Sequence, residues 1–220
     1  MQVDVWSDVV CPWCYLGRRR LQLAIERFEH RDAVEVEWHS FQLQPDAPRF
    51  GEPGAGAPVA EYLATRGFAP AQLEEMQARL AGLAAAEGLP YRPDLAHHVN
   101  SFAAHTLVHS AARHGLGDAM VGLLFKAQHA DDLRIDDPAT LPGLAAEVGL
   151  EWDPAQPDQA DVDAVHADID EARQLGVSGV PFFVFDRRLA VSGAQPTDLL
   201  LEALEQAFTA DSAPASSSNS

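Results

Sequence analysis

Cys11 and Cys14 are the only two cysteines in a chain of 220 residues, and only Pro12 and Trp13 separate them. At the start of a helix this spacing sets two thiols one turn apart, close enough to bond, as in a dithiol that cycles with a disulfide. The flanking residues supply that helix start. Val3-Asp4-Val5-Trp6-Ser7 alternates apolar and polar, the period of a half-buried strand. After Asp8-Val9-Val10 and the cysteines, Cys14, Gly17, Leu21, Ala24 and Phe28 recur by threes and fours on one helical face, which Ile25 widens. Cys11 then lies at the first turn, where backbone N–H groups lack helical partners and the partial positive charge favours an anion. Cys-x-x-Cys thiols so placed titrate at roughly 3.5–7.5 rather than about 8.5. Cys11 is the expected attacking thiolate, and Cys14, which begins the core-facing row, is the expected resolving thiol. Pro12 suits the first turn because it has no N–H to satisfy. Trp13 offers an apolar contact surface and tunes the potential.

Other chemistry for the pair is less consistent with the residues. Zinc needs two further ligands, and the candidates are His105 and His109, four apart on one helical face; no metal site is expected. Covalent haem is disfavoured because Tyr15, not histidine, follows Cys14. A formal charge of −18 argues against a nucleic-acid partner, since a phosphate backbone would be repelled. The chain enters a strand by Val3 with no basic leader, and no stretch is long enough to span a bilayer, so no membrane partner is expected. The expected location is cytoplasmic, where a disulfide would be transient and catalytic.

The elements that position the pair follow in order. A first helix is expected from Pro12 to His30. Arg18, Arg19 and Arg20 read as a solvated face of it. Val34, Val36 and Trp38 form a second half-buried strand reaching Phe41, and Trp6 and Trp38 read as core. Pro45 to Pro58 is an exposed loop. Helical periodicity then runs to Leu150. One helix spans Ala71 to Ala86, Asn100 and Asp118 can cap two more, and Asp137-Pro138 starts a fourth that ends at Gly149. Four helices with no strand among them describe an inserted bundle. Val162, Val165, Ile169 and Ala172 mark a further helix that ends at Gly176. Phe182–Phe185 reads as a strand buried on both faces, Asp186-Arg187-Arg188 as a tight turn, and Leu189–Val191 as its partner strand. The last helix buries Leu200, Leu201, Leu204 and Phe208.

This order is strand, helix, strand, a helical insert, then helix, strand, strand, helix: an α/β thioredoxin fold with an inserted all-helical domain. Its expected parts are 1–44 and 156–210 for the thioredoxin halves, 45–155 for the insert, and 211–220 for a disordered tail. Three segments carry a specific resemblance. Cys11-Pro12-Trp13-Cys14-Tyr15-Leu16-Gly17, Val99-Asn100-Ser101-Phe102 with His105, and Gly179-Val180-Pro181-Phe182-Phe183-Val184 are similar to the FrnE-like branch of the DsbA-like thioredoxin family, dithiol-disulfide isomerases and oxidoreductases. The resemblance implies a cis Val180–Pro181 bond beside Cys11, with the Val180 backbone offered to an incoming thiol-bearing chain. It also places Asn100 and His105 at the border of the cleft. On the residues alone, Asn100 serves equally as a helix cap and His105 as a satisfied helix histidine. The buried acid of thioredoxins proper has no clear counterpart, Asp8 and His39 being the candidates.

The expected activity is thiol-disulfide oxidoreductase or isomerase, on a protein or small-molecule thiol or disulfide. No cofactor is expected beyond the Cys11–Cys14 couple, with glutathione an eligible co-substrate. One alternative is a glutathione-dependent isomerase of the hydroxychromene-carboxylate isomerase or kappa type. Those enzymes usually carry serine where this chain has Cys11. The other alternative is a non-catalytic binding protein that docks a partner on its helical part.

Overall fold

The computed structural model describes residues 1–212. Its central sheet holds four strands, β1 (Gln2–Ser7), β2 (Glu35–Ser40), β5 (Phe182–Phe185) and β6 (Leu189–Ser192), in the order β2-β1-β5-β6. β1 and β2 run parallel with Val5 opposite Trp38, and α1 (Pro12–Arg27) forms the crossover between them. β5 returns antiparallel to β1 with Phe183 opposite Val5, and β6 follows it antiparallel. The turn between β5 and β6, Asp186-Arg187-Arg188, places Asp186 and Arg187 at φ of 46° and 53°, in the left-handed region that closes it tightly.

Strand alternation divides the core between the sheet's two faces. Val3, Val5, Phe183 and Phe185, all fully buried, face α1 and α8 (Thr197–Ser212), from which Leu21, Ala24, Leu200 and Leu204 pack against them. The opposite face carries Trp6, Phe182 and Val184 beneath Ala172 of α7 (Gln159–Gln174) and Val177. Phe182 and Val184 remain half-exposed there, so β5 is not the doubly buried strand its apolar run predicts. A single helix covers that face only in part.

Between β2 and α7 lie α2 (Val59–Thr65), α3 (Pro70–Ala86), α4 (Phe102–Ala112), α5 (Gly117–His129) and α6 (Leu141–Glu147). The segment is helical apart from one short pairing, β3 (Ala57–Pro58) with β4 (His97–His98). Two starts differ from expectation. Asp137 caps a turn by accepting from Ala139 N at 2.8 Å, and α6 begins at Leu141. Asp118 lies inside α5 rather than before it, and its carboxylate binds Arg18 at 2.8 Å and Trp38 Nε1 at 3.1 Å. The tail expected to be disordered lies, from residue 213 on, outside the described residues; 211 and 212 belong to α8.

The three arginines of α1 do not form a solvated face. Arg18 meets Asp118, Arg19 donates to Glu87 O at 3.0 Å, and Arg20 binds Glu87 Oε1 at 3.2 Å and Ala194 O at 2.8 Å. The face opposite the core stripe is covered by α3 and α5, so these guanidinium groups bind the inserted helices to α1 with charge-assisted bonds. The cysteines begin this same helix, so their position is set by the sheet and the insert together.

Candidate active site

Cys11 occupies the N-cap of α1 with extended backbone (φ −88°, ψ 113°), and Pro12 opens the first turn. No side chain caps the turn, so its first N–H groups remain the local donors. The carbonyl of Cys11 accepts from Cys14 N at 3.0 Å and Tyr15 N at 3.2 Å, and Cys11 N donates to Asp8 O at 2.9 Å. The backbone around the first thiol is therefore held on both sides. Cys11 is 5% exposed and Cys14 fully buried. Neither is in a disulfide, and their thiols contact each other. Burial pushes the Cys14 thiol well above its ordinary range. The adjoining Cys11 adds to that rise, and Ser7 and the Asp8 backbone oppose it. Ser7 Oγ makes no well-formed hydrogen bond, which leaves it facing Cys14.

The Val180–Pro181 bond is cis, and Cys11 Sγ lies 3.9 Å from the Val180 carbonyl oxygen. Pro181 packs on α1 at Gly17, where a Cβ would come within 2.7 Å of Pro181 Cγ. The first and third motifs thus meet through Cys11, Gly17, Val180 and Pro181, across more than 160 residues of sequence.

The middle motif is placed otherwise. Asn100 Nδ2 donates to Pro45 O and Ala47 O at 3.1 and 2.9 Å, and its Oδ1 accepts from Phe102 N at 3.0 Å. It holds the loop after β2 against the start of α4 and lines a separate hollow with Phe50 and Phe102. His105 is buried with Nε2 3.4 Å from Asp8 Oδ1, and the other Asp8 oxygen accepts from Leu43 N at 2.8 Å. Asp8 is thus a buried acid three residues before Cys11, its carboxylate held by Val10 N, Leu43 N and His105. His39 lies further along the sheet, stacked on Trp6 and bound to Asp168 at 2.9 Å and Asp4 at 3.0 Å. Burial alone would lower the His39 pKa, but the hydrogen bond and charge of Asp168, then the bond to Asp4, raise it to about 9. His109 meets Asp168 from α4 at 2.9 Å. These hydrogen-bonded side chains join β1, β2, α4 and α7.

A cleft of about 230 Å³ opens above Cys11, between Trp13 and the inserted helices. It brings in two residues the sequence reading does not single out, Tyr91 and His129. Burial, then the nearby Cys11, push the Tyr91 phenol up to about 12. His129 Nε2 lies 3.1 Å from Val9 O, so it carries the proton, and Nδ1 has no hydrogen-bond partner among the described residues. Burial holds His129 near 4, hence neutral. Neither residue belongs to a local motif, and only the fold brings them to the thiols.

A strand-crossover-strand unit with Cys-x-x-Cys at the helix start and a proline loop against it defines a class of thiol-dependent proteins. The match is specific: residues 2–205 fit the DSBA-like thioredoxin domain, and the chain belongs to that family. It is similar to a structure described as a probable DsbA oxidoreductase from Streptomyces coelicolor, at 39% identity and a TM-score of 0.86, covering 95% of this chain and 90% of that one. The fold is shared with a 2-hydroxychromene-2-carboxylate isomerase (18% identity, TM-score 0.71, 96% and 98% covered). It is also shared with the cytosolic disulfide reductase DsbM from Pseudomonas aeruginosa, solved with glutathione (21%, 0.63, 95% and 100%). Among the described residues, no helix is long and apolar enough to cross a membrane.

Proposed function

We propose that this chain is a thiol-disulfide oxidoreductase in which Cys11 is the nucleophile and Cys14 the resolving thiol. The observation that carries the reading is the asymmetry of the pair: Cys11 lies at an uncapped helix start beside Val180, while Cys14 lies fully buried behind it with its thiol held protonated. In the reducing direction, Cys11 thiolate attacks a substrate disulfide and forms a mixed disulfide, and the other half leaves as a thiolate that takes a proton. Cys14 then loses its proton, attacks Cys11 Sγ and releases the second substrate thiol. Two electrons pass from the dithiol to the substrate, and the oxidised pair remains. The same steps reversed oxidise a substrate dithiol.

Pro12 and Trp13 border the entry and Val180 offers its backbone beside the reacting sulfur, which supports a substrate-binding role for all three. Pro181 holds that loop on α1. The contacts of Asn100 and His105 support positioning roles, on the loop after β2 and on Asp8. No metal or bound cofactor is needed for this chemistry, and glutathione qualifies only as a co-substrate. Cysteine usage confined to the reactive pair supports a cytoplasmic location.

The test is disulfide reduction by the single variants. Cys11→Ser should lose activity to background, and Cys14→Ser should accumulate a mixed disulfide at Cys11, visible by mass. A glutathione-dependent isomerase would keep its turnover in Cys14→Ser. A Cys11→Ser variant that loses disulfide reduction yet leaves the biological phenotype intact would instead favour a non-catalytic binding role.

A further inference from the structure

Resting on that reading, we propose that the cleft over Cys11 selects small uncharged disulfides with an aromatic or branched apolar body and rejects carboxylate-bearing ones such as glutathione disulfide. The walls are Tyr62 and Leu63 of α2, Met76 of α3, Tyr91, and Trp13 beside the cysteine. Rigid aromatic faces offer large contact area at little entropic cost. A volume of about 230 Å³ fits a small molecule rather than a folded segment of polypeptide.

The electrostatics of the lining point the same way. Among the described residues lining the cleft, none is lysine or arginine. Its histidines do not replace them. His129 is neutral because it is buried, burial also lowers the His98 pKa, and His97 Nε2 is already 3.0 Å from Asp132. The neutral amides Gln44 and Gln77 and the phenols Tyr62 and Tyr91 are the polar side chains that remain, and none carries a positive charge. A carboxylate that enters would lose water without gaining a cation, a cost that neutral donors offset only in part.

The experiment uses pre-reduced full-length protein in single turnover, so the Cys11–Cys14 dithiol supplies both electrons and no other reductant is needed. The probes are dithiodipyridine, which is neutral and aromatic; dithiobis(nitrobenzoate), aromatic but dianionic; and glutathione disulfide. Each rate is divided by that of dithiothreitol with the same probe, which removes intrinsic reactivity. The expected result is a preference of about tenfold or more for dithiodipyridine over both charged probes, the size of one uncompensated charge.

Met76→Arg, at a position 37% exposed and so tolerant of a long side chain, should cut that preference at least about threefold by favouring the dianion. Equal normalised rates for the parent would overturn the proposal, as would an unmoved preference in Met76→Arg. A preference that vanishes at about 1 M salt would also overturn it, because the overall charge and not the cleft would then be discriminating. Insulin reacting as fast as dithiodipyridine on the same scale would assign the cleft to polypeptide. If Cys11→Ser consumes the probes as fast as the parent, the dithiol reading itself fails, whatever the selectivity.

Discussion

Gly17 lies directly under the ring of Pro181, so close that a Cβ on it would stand 2.7 Å from Pro181 Cγ and 3.3 Å from Phe183 Cζ. This contact sets how near the Val180 carbonyl comes to Cys11, since both loop and cysteine are anchored to the same helix. Helical geometry alone permits any small residue at position 17; the approaching loop requires glycine.

Gly17→Ala should therefore lower disulfide reduction more than its fold stability suggests. Overpacking at a buried contact costs about 1–3 kcal/mol, partly offset by alanine's better helix propensity. The check is melting temperature together with single-turnover rate. A variant that melts lower but keeps the parent rate would separate the loop's position from catalysis.

Tyr91 reaches Cys11 from the inserted segment and keeps its proton throughout the working range, its pKa being near 12. A neutral phenol beside a developing thiolate is a donor that water would otherwise replace. Tyr91→Phe should slow alkylation of Cys11 severalfold with little change in melting temperature. An unchanged alkylation rate would reduce Tyr91 to a wall of the cleft.

Stability should peak near neutral pH, for two opposed reasons. His39 is raised to about 9 from about 6.5, so its stabilisation is complete below about pH 6.5 and is lost as pH rises through 9. His129 is lowered to about 4, so the unfolded chain takes up a proton that the folded one refuses, and stability falls as pH drops from about 6.5 to 4. Asp168, which burial alone would raise, is brought down to about 2 by His109 and His39, so its share is present above about pH 3.9 and is lost only as pH falls through 2. Each histidine limb amounts to about 3 kcal/mol. Denaturant midpoints at pH 5, 6.5 and 8 test this, the last staying below the midpoint at which Cys14 titrates in the unfolded chain. His39→Gln should flatten the alkaline limb and leave the acid one intact.

Arg20 is buried against Glu87 and Ala194 O, which joins α1 to α3 and to the loop before α8. Arg20→Met should cost about 2–3 kcal/mol, because Glu87 and the carbonyl lose their donor while the apolar stem is kept. Chemical denaturation measures it. Adding Glu87→Gln to that variant should recover part of the loss, as expected when an uncompensated charge causes it.

Local pattern by itself determined the candidate cysteine pair and most of the elements that hold it. Cys-Pro-Trp-Cys at a strand-to-helix junction needs only short-range rules, and the alternation of Val3–Ser7 and the stripe Cys14–Phe28 are local periods that burial at one interface imposes. The three motifs that carry the resemblance to the family were legible because each keeps its residues adjacent in the chain. Tertiary structure alone decided what those residues meet. It turned Arg18–Arg20 from a solvent-facing run into braces for the insert, left the outer face of Phe182–Val184 half-covered, and moved Asn100 to a loop anchor. It also brought Tyr91 and His129 to the cysteine. Those outcomes depend on contacts between residues tens to more than a hundred positions apart, and on how completely one layer covers another, quantities that no sequence period encodes.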